Sequence, residues 1–142
     1  MRQVSNRLLW LGNAGDLRNT PQLFAAGIVA VVDLAANEAP AALPREFVYC
    51  RFPVTDGGGN PVWLLRGAID VVASLAEANV ATLVCCSAGM SRSPAVLSAA
   101  LAKVVGLSPA EVLAGVAIGH ASDVSPVLWA EILAAFEHAR AK

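Results

Sequence analysis

Charge is scarce in this chain. Only 15% of its 142 residues are Asp, Glu, Lys or Arg, against 56% that are hydrophobic. Such a chain has little self-repulsion and much apolar surface to hide, which excludes disorder and points to a globular core. The balance of sign is as thin as the number: a net charge of −1 offers no general attraction for nucleic acid or an anionic membrane. No apolar run approaches the roughly 18–20 residues of a membrane helix. Residues 1–7, Met-Arg-Gln-Val-Ser-Asn-Arg, lack the apolar stretch of a secretory signal. Cysteine is sparse too. Three cysteines, two of them adjacent, make no disulfide framework, and no paired Cys/His spacing supports a metal site. A reducing, cytoplasmic setting is expected, without metal or cofactor. Internal repeats and low-complexity linkers are missing as well, so residues 1–142 read as one domain.

Proline is where the pattern begins. Five of the eight prolines follow Thr, Asn or Ser: Thr20-Pro21, Asn60-Pro61, Ser93-Pro94, Ser108-Pro109 and Ser125-Pro126. Each pair reads as an N-cap followed by proline in the first helical position, and Ser108 to Glu111 adds a capping-box spacing. Gly27, Asn79 and Gly106 supply helix ends. Between the helices lie strand-like runs at Leu8 to Leu11, Ile28 to Leu34, Phe47 to Pro53 and Val80 to Cys86. The run Ile28-Val29-Ala30-Val31-Val32 is apolar without alternation, as in a strand covered on both faces. Alternating strand and helix predicts an α/β sandwich. Its central, mostly parallel sheet has four to five strands flanked by helices. The last two helices, near 109–118 and 126–141, follow one another without a strand and are expected to pack together. Residues 35–45, with Pro40 and Pro44, read as a loop.

The most informative stretch joins the last apolar run to the helix after it: Cys86-Ser87-Ala88-Gly89-Met90-Ser91-Arg92-Ser93. A tight strand-to-helix loop turns backbone N–H groups into an anion nest, and the helix N-terminus adds partial positive charge. Gly89 can take positive φ and bring the backbone close to a ligand. Arg92 can fork two donors onto two phosphate oxygens. Cys86 sits at the floor of the same cup, where loop amides, helix end and arginine favour a thiolate. A thiolate beneath a bound phosphorus is placed for in-line attack.

These eight residues resemble the signature of the cysteine-dependent protein phosphatases. Within them they are most similar to the dual-specificity group, with a small residue and glycine before a Ser-Arg-Ser ending. The resemblance covers nearly the whole chain. Leu8 to Ala14 and Thr20 to Gly27 resemble the family's opening strand and helix. Ile28 to Leu34 is similar to its next strand, and Phe52-Pro53-Val54-Thr55-Asp56 to the strand and loop that carry its general acid. Val124-Ser125-Pro126 resembles the start of its last helix, with Val127 where Asn is frequent. One departure stands out: the family usually has His before the nucleophile, and this chain has Cys85. That His helps to fix the loop and thiolate by hydrogen bonds, and cysteine is a poorer hydrogen bonder.

The resemblance implies a dual-specificity-phosphatase-like catalytic domain that hydrolyses phosphate monoesters through a phosphocysteine. Cys86 would be the nucleophile, with Arg92 and the amides of Ser87, Ala88, Gly89, Met90 and Ser91 holding the phosphoryl group. Ser93 would help the thiolate to depart. Its hydroxyl can also cap the helix. Asp56 is expected to be the acid. It follows an apolar strand and precedes Gly57-Gly58-Gly59-Asn60, a flexible tract that lets the loop sit open without ligand. Other acids are placed worse: Asp33 at a buried strand end, Asp16 in an early turn, Asp70 in mid-helix. His120 and His138 fall at or near helix ends, and Trp10, Trp63 and Trp129 read as core or half-buried aromatics. Arg18, Arg45 and Arg51 read as surface charge that can meet a second anionic group. The expected partner is a phosphorylated protein, on phosphotyrosine and phosphoserine or phosphothreonine, or a small phosphorylated molecule, with the enzyme a monomer. No lysine lies inside the loop, which disfavours phosphoinositides. Two other readings use the same loop. One is a rhodanese-like sulfurtransferase working through a Cys86 persulfide. The other is a phosphate-binding module without turnover.

Overall fold

A computed structural model describes residues 1–118 and 122–140. Its strands are β1 (Arg2–Ser5), β2 (Leu9–Asn13), β3 (Ala30–Ala35), β4 (Val48–Val54) and β5 (Thr82–Cys86). Its helices are α1 (Thr20–Ala25), α2 (Val62–Glu77), α3 (Arg92–Val105), α4 (Pro109–Ala117) and α5 (Pro126–Arg140), with a 3₁₀ turn at Ala14–Arg18. One five-stranded sheet runs in the order β1-β2-β5-β3-β4. All neighbours are parallel except β1, which pairs antiparallel with β2. The α/β architecture and mostly parallel sheet are as expected. No described helix is long and apolar enough to cross a membrane.

β3 and β5 lie inside the sheet and are buried at every residue, which is why their sequences do not alternate. The larger core fills the face between the sheet and α2, α3, α4 and α5. On α2 it takes Leu64, Leu65, Ala68, Ile69, Val72, Ala73 and Ala76, an apolar stripe at helical spacing. A smaller core lies on the opposite face, where Leu17, Leu23, Ile28, Val31, Phe47, Leu83 and Cys85 meet. Successive strand residues point to opposite faces, so Cys85 enters the small core while Cys86 borders the large one.

The structure corrects four details. β1 was not expected; Arg2-Gln3-Val4-Ser5 is a mostly polar edge strand. α4 packs on α3, whereas α5 packs on α2 and α3 rather than on α4. Trp63 is 72% exposed, while Trp10 and Trp129 are half-buried as expected. Three of the five caps shift. Asn19 caps α1, Pro61 precedes α2 without a side-chain cap, and α3 starts at Arg92 behind Ser91. Ser108 does cap α4 through Glu111, and Ser125 Oγ accepts from the Leu128 amide in the first turn of α5. Asn79 and Gly106 follow their helices at positive φ, 55° and 79°. His120 lies outside the described residues, and His138 falls within α5.

Candidate active site

Because β2, β5, β3 and β4 run parallel, their carboxyl ends share one edge of the sheet. Ligands of open α/β sheets bind beyond that edge. Here the loops leaving β3, β4 and β5 enclose a cavity of about 670 Å³. Its lining includes Asn37, Thr55, Asp56, Cys86, Ser91 and Arg92. Cys86, Arg92 and Asp56 are thus brought to one place from two separate stretches of chain.

Cys86 is the last residue of β5 and only 2% exposed. Its Sγ lies 3.2 Å from Ser93 Oγ, which sits in the first turn of α3 and is buried. That contact takes the Ser93 hydroxyl away from helix capping, contrary to the capping role. The loop between β5 and α3 closes tightly. Gly89 has φ +75°, and a Cβ there would come within 2.7 Å of the Gly12 carbonyl oxygen at the end of β2. Only glycine meets both demands. Among the described residues, the backbone N–H groups of Ser87, Ala88, Gly89, Met90 and Ser91 have no protein acceptor. α3 also starts without a side-chain cap. Unpaired amides beside an uncapped helix end make a concentrated anion-binding environment.

Arg92 is 5% exposed, and its Nη1 donates to Asn37 Oδ1 at 2.9 Å and to the Val54 carbonyl at 3.0 Å. Those two bonds orient the guanidinium, and its other nitrogens have no acceptor among the described residues. Asn37 also accepts from Ser87 Oγ at 3.0 Å, so one side chain braces both ends of the loop. Ser87 reaches Glu38 as well, at 3.4 Å. Asn37 was missed in the sequence, where it lies in a patternless loop.

Asp56 stands on the loop after β4. Its Oδ1 accepts from Ser91 Oγ at 2.6 Å, and Ser91 Oγ in turn accepts from the Ser125 amide at the start of α5. The Asp56 carboxyl therefore rests on the loop between β5 and α3. Its glycines notwithstanding, the Asp56 loop is tied to its neighbours through Ser91 and Asn60.

The remaining candidates have other duties. Cys85 is fully buried, and burial chiefly, with the charges of Asp33, Cys86 and Asp16, pushes its thiol far up. Asp33 accepts from the Ala35 amide and the Tyr49 hydroxyl; burial, then this bond, raise the Tyr49 pKa. Asp16 closes a capping box with Asn13, and Asp70 pairs with Lys103 at 2.7 Å. Arg51 donates to the carbonyls of Ala35 and Glu38, bracing the loop that bears Asn37.

No protein-family model and no curated protein sequence matches this chain. Solved structures do. Human DUSP28 superposes with a TM-score of 0.85 at 26% identity, covering 99% of both chains. A mouse dual specificity phosphatase, solved with zinc tungstate, superposes with a TM-score of 0.84 at 24% identity, covering 98% of this chain and 87% of its own. DUSP15 follows with a TM-score of 0.79 at 24% identity over 96% of this chain and 86% of its own. The likeness is end to end, and it runs through the strand-loop-helix segment from Cys86 to Ser93. By fold and by that segment, this chain is a member of the dual-specificity phosphatase-like superfamily.

Proposed function

We propose that this protein is a cysteine-dependent phosphatase that hydrolyses phosphate monoesters through a phosphocysteine. Its substrates are phosphotyrosine together with phosphoserine and phosphothreonine, in proteins or small molecules. The observation that carries the reading is the joint placement of Cys86 Sγ, the Arg92 fork and five unpaired loop amides around one cavity. In the first step the Cys86 thiolate attacks phosphorus and the P–O bond to the leaving group breaks. Asp56 gives its proton to the departing oxygen. Charge on the equatorial oxygens meets the loop amides and Arg92, oriented by Asn37 and Val54. In the second step Asp56, now a carboxylate, takes a proton from water. The water oxygen attacks phosphorus, the P–S bond breaks, and Ser93 Oγ donates to the departing thiolate. Phosphate and the starting enzyme result. Water is the only co-substrate, and a single cytoplasmic chain suffices.

Support for breadth of substrate comes from the lining. Asn37, Thr55, Ser91 and Met90 are neutral, Asp56 and Asp123 are acidic, and Arg92 is the one basic residue among the described lining residues. A single phosphate fits this lining better than a polyanion. The test is to react the protein with an aryl phosphate carrying labelled phosphorus, quench in acid and map the label. Label on Cys86, with turnover of phosphotyrosine and phosphoserine peptides, is the expected result. Turnover of thiosulfate and cyanide in place of phosphate esters would overturn the reading in favour of sulfur transfer.

A further inference from the structure

The loop bearing Asp56 reads as flexible in sequence and is heavily tied in the structure. Asn60 is 9% exposed and closes the loop on itself. Its Oδ1 accepts from the Thr55 amide at 2.8 Å, and its Nδ2 donates to the carbonyls of Thr55 and Gly57 at 3.0 and 3.2 Å. α5 then holds the loop from outside. Glu131 Oε1 accepts from the Asn60 amide and Nδ2 at 3.2 and 3.0 Å, and Oε2 accepts from the Gly59 amide at 2.9 Å. Gly59 has φ +87°, so this glycine serves a fixed backbone path rather than motion. Burial alone would raise the Glu131 pKa. The hydrogen bonds from the Asn60 side chain and from the Gly59 and Asn60 amides outweigh it and hold the carboxyl below its ordinary value.

We propose that Glu131 and Asn60 are positioning residues that hold the Asp56 loop closed over the cup. The inference rests on Asp56 being the general acid. Three successive glycines leave an untied loop many backbone states, and each would carry the Asp56 carboxyl to a different place. Proton transfer needs that carboxyl within hydrogen-bond reach of the leaving oxygen, and small misplacements of catalytic groups are costly. The clamp removes those states in advance. α5 acts at two points, through Glu131 on the far side of the loop and through the Ser125 amide on Ser91, which holds Asp56. The Glu131 side chain is not part of the cavity lining and bonds to Gly59 and Asn60, so its effect must pass through the loop.

The test compares E131A, E131Q, D56N and the double variant E131A/D56N. Each is assayed on p-nitrophenyl phosphate, whose leaving group needs little help, and on a phosphoserine peptide, whose leaving group needs a proton. Vanadate affinity and Tm are measured alongside. E131A is expected to lower kcat on phosphoserine by about 10- to 100-fold, with a smaller loss on the aryl ester and unchanged vanadate binding. E131Q keeps one acceptor oxygen and should fall between. In the D56N background E131A should cost nothing further on phosphoserine, since the acid it positions is gone. An equal loss on both substrates, or full additivity with D56N, overturns the clamp while leaving the acid in place. A D56N enzyme without leaving-group dependence overturns the assignment of Asp56 itself, and the clamp with it. If E131A does not fold, E131Q decides on the same comparison.

Discussion

Two loops meet in this site, and they are built on opposite plans. The Cys86–Arg92 loop is short and contiguous, and it is pinned at both ends by regular structure: β5 before it, α3 after it. Its geometry is local, and the close approach of Gly89 to Gly12 shows how little slack it has. The Asp56 loop leaves β4 into three glycines and owes its shape to partners far away in the chain. Glu131 and Asn60 are 71 residues apart in sequence. On the proposed mechanism, the first loop carries its chemistry in its own residues, whereas the second carries one functional group and borrows its placement. Damage to the first should therefore abolish chemistry outright, and damage to the second should degrade it in proportion to how much the reaction needs a positioned proton.

The sharpest way to break that contrast is Cys86→Ser. A hydroxyl is a far weaker nucleophile at neutral pH, so turnover should fall on the order of 10⁴–10⁶-fold. Vanadate should still bind, because the amides and Arg92 remain. Substantial turnover in a clean preparation would show that Cys86 is not the nucleophile. Next in size is Arg92. Removing a preorganised donor typically costs about 10²–10³-fold. Arg92→Lys should come within about tenfold of Arg92→Ala, because lysine keeps charge without the planar fork, and its one nitrogen cannot replace Nη1 on Asn37 Oδ1 and the Val54 carbonyl while also forking onto a phosphate. Near-normal kcat/KM in the lysine variant would take Arg92 off the phosphate.

What could be read in advance follows the same division. Cys86, Gly89 and Arg92 were legible because their spacing and their flanking elements carry the whole arrangement. The α/β alternation was legible because β3 and β5 are apolar throughout and prolines mark the helix starts. Side chains with two possible employers misled. The Asn60 amide is committed to Thr55 and Gly57 rather than to capping α2, and Ser93 Oγ faces Cys86 rather than the helix amides. β1 has Val4 as its single aliphatic residue, so its pairing with β2 left no periodic trace. Asn37 and Glu131 were invisible for a plainer reason: nothing in a loop or on an amphipathic helix says which distant backbone it will meet.

Asp56→Asn comes third, and it sharpens the contrast because its size should depend on the substrate. General acid catalysis supplies about 10²–10⁴-fold. The full loss is expected on phosphoserine and little of it on p-nitrophenyl phosphate, and the fall in rate toward higher pH should flatten once the acid is gone. Equal losses with an unchanged pH profile would assign Asp56 to loop structure. Cys85→Ser comes fourth and probes the face of β5 that the cup does not use. Cys85 is fully buried in the small core, so a hydroxyl there lacks a ready partner and should destabilise by about 1–3 kcal/mol. Most activity should survive in the folded fraction. A large loss of kcat at unchanged Tm would mean that the residue before the nucleophile acts on the thiolate after all.

The smallest expected effect is also the most diagnostic of how the second loop is held. The Glu131 carboxyl has a folded-state pKa below its ordinary value, set by three N–H donors that favour the charged form. A group with a depressed folded pKa contributes stability above its unfolded pKa, about 4.3 for Glu, and loses that contribution as pH falls through the lower folded value. The clamp should thus be whole across the neutral and mildly acidic range. Glu131→Gln carries a permanently uncharged side chain and imitates the protonated clamp. The Tm difference between the native protein and this variant should therefore stay constant from pH 8 to about 5 and shrink below about pH 4. Glu131 is partly exposed, so solvent screens the effect and the difference will be modest. A difference that instead grows on acidification would mean that the carboxylate is not what the Gly59 and Asn60 amides are holding.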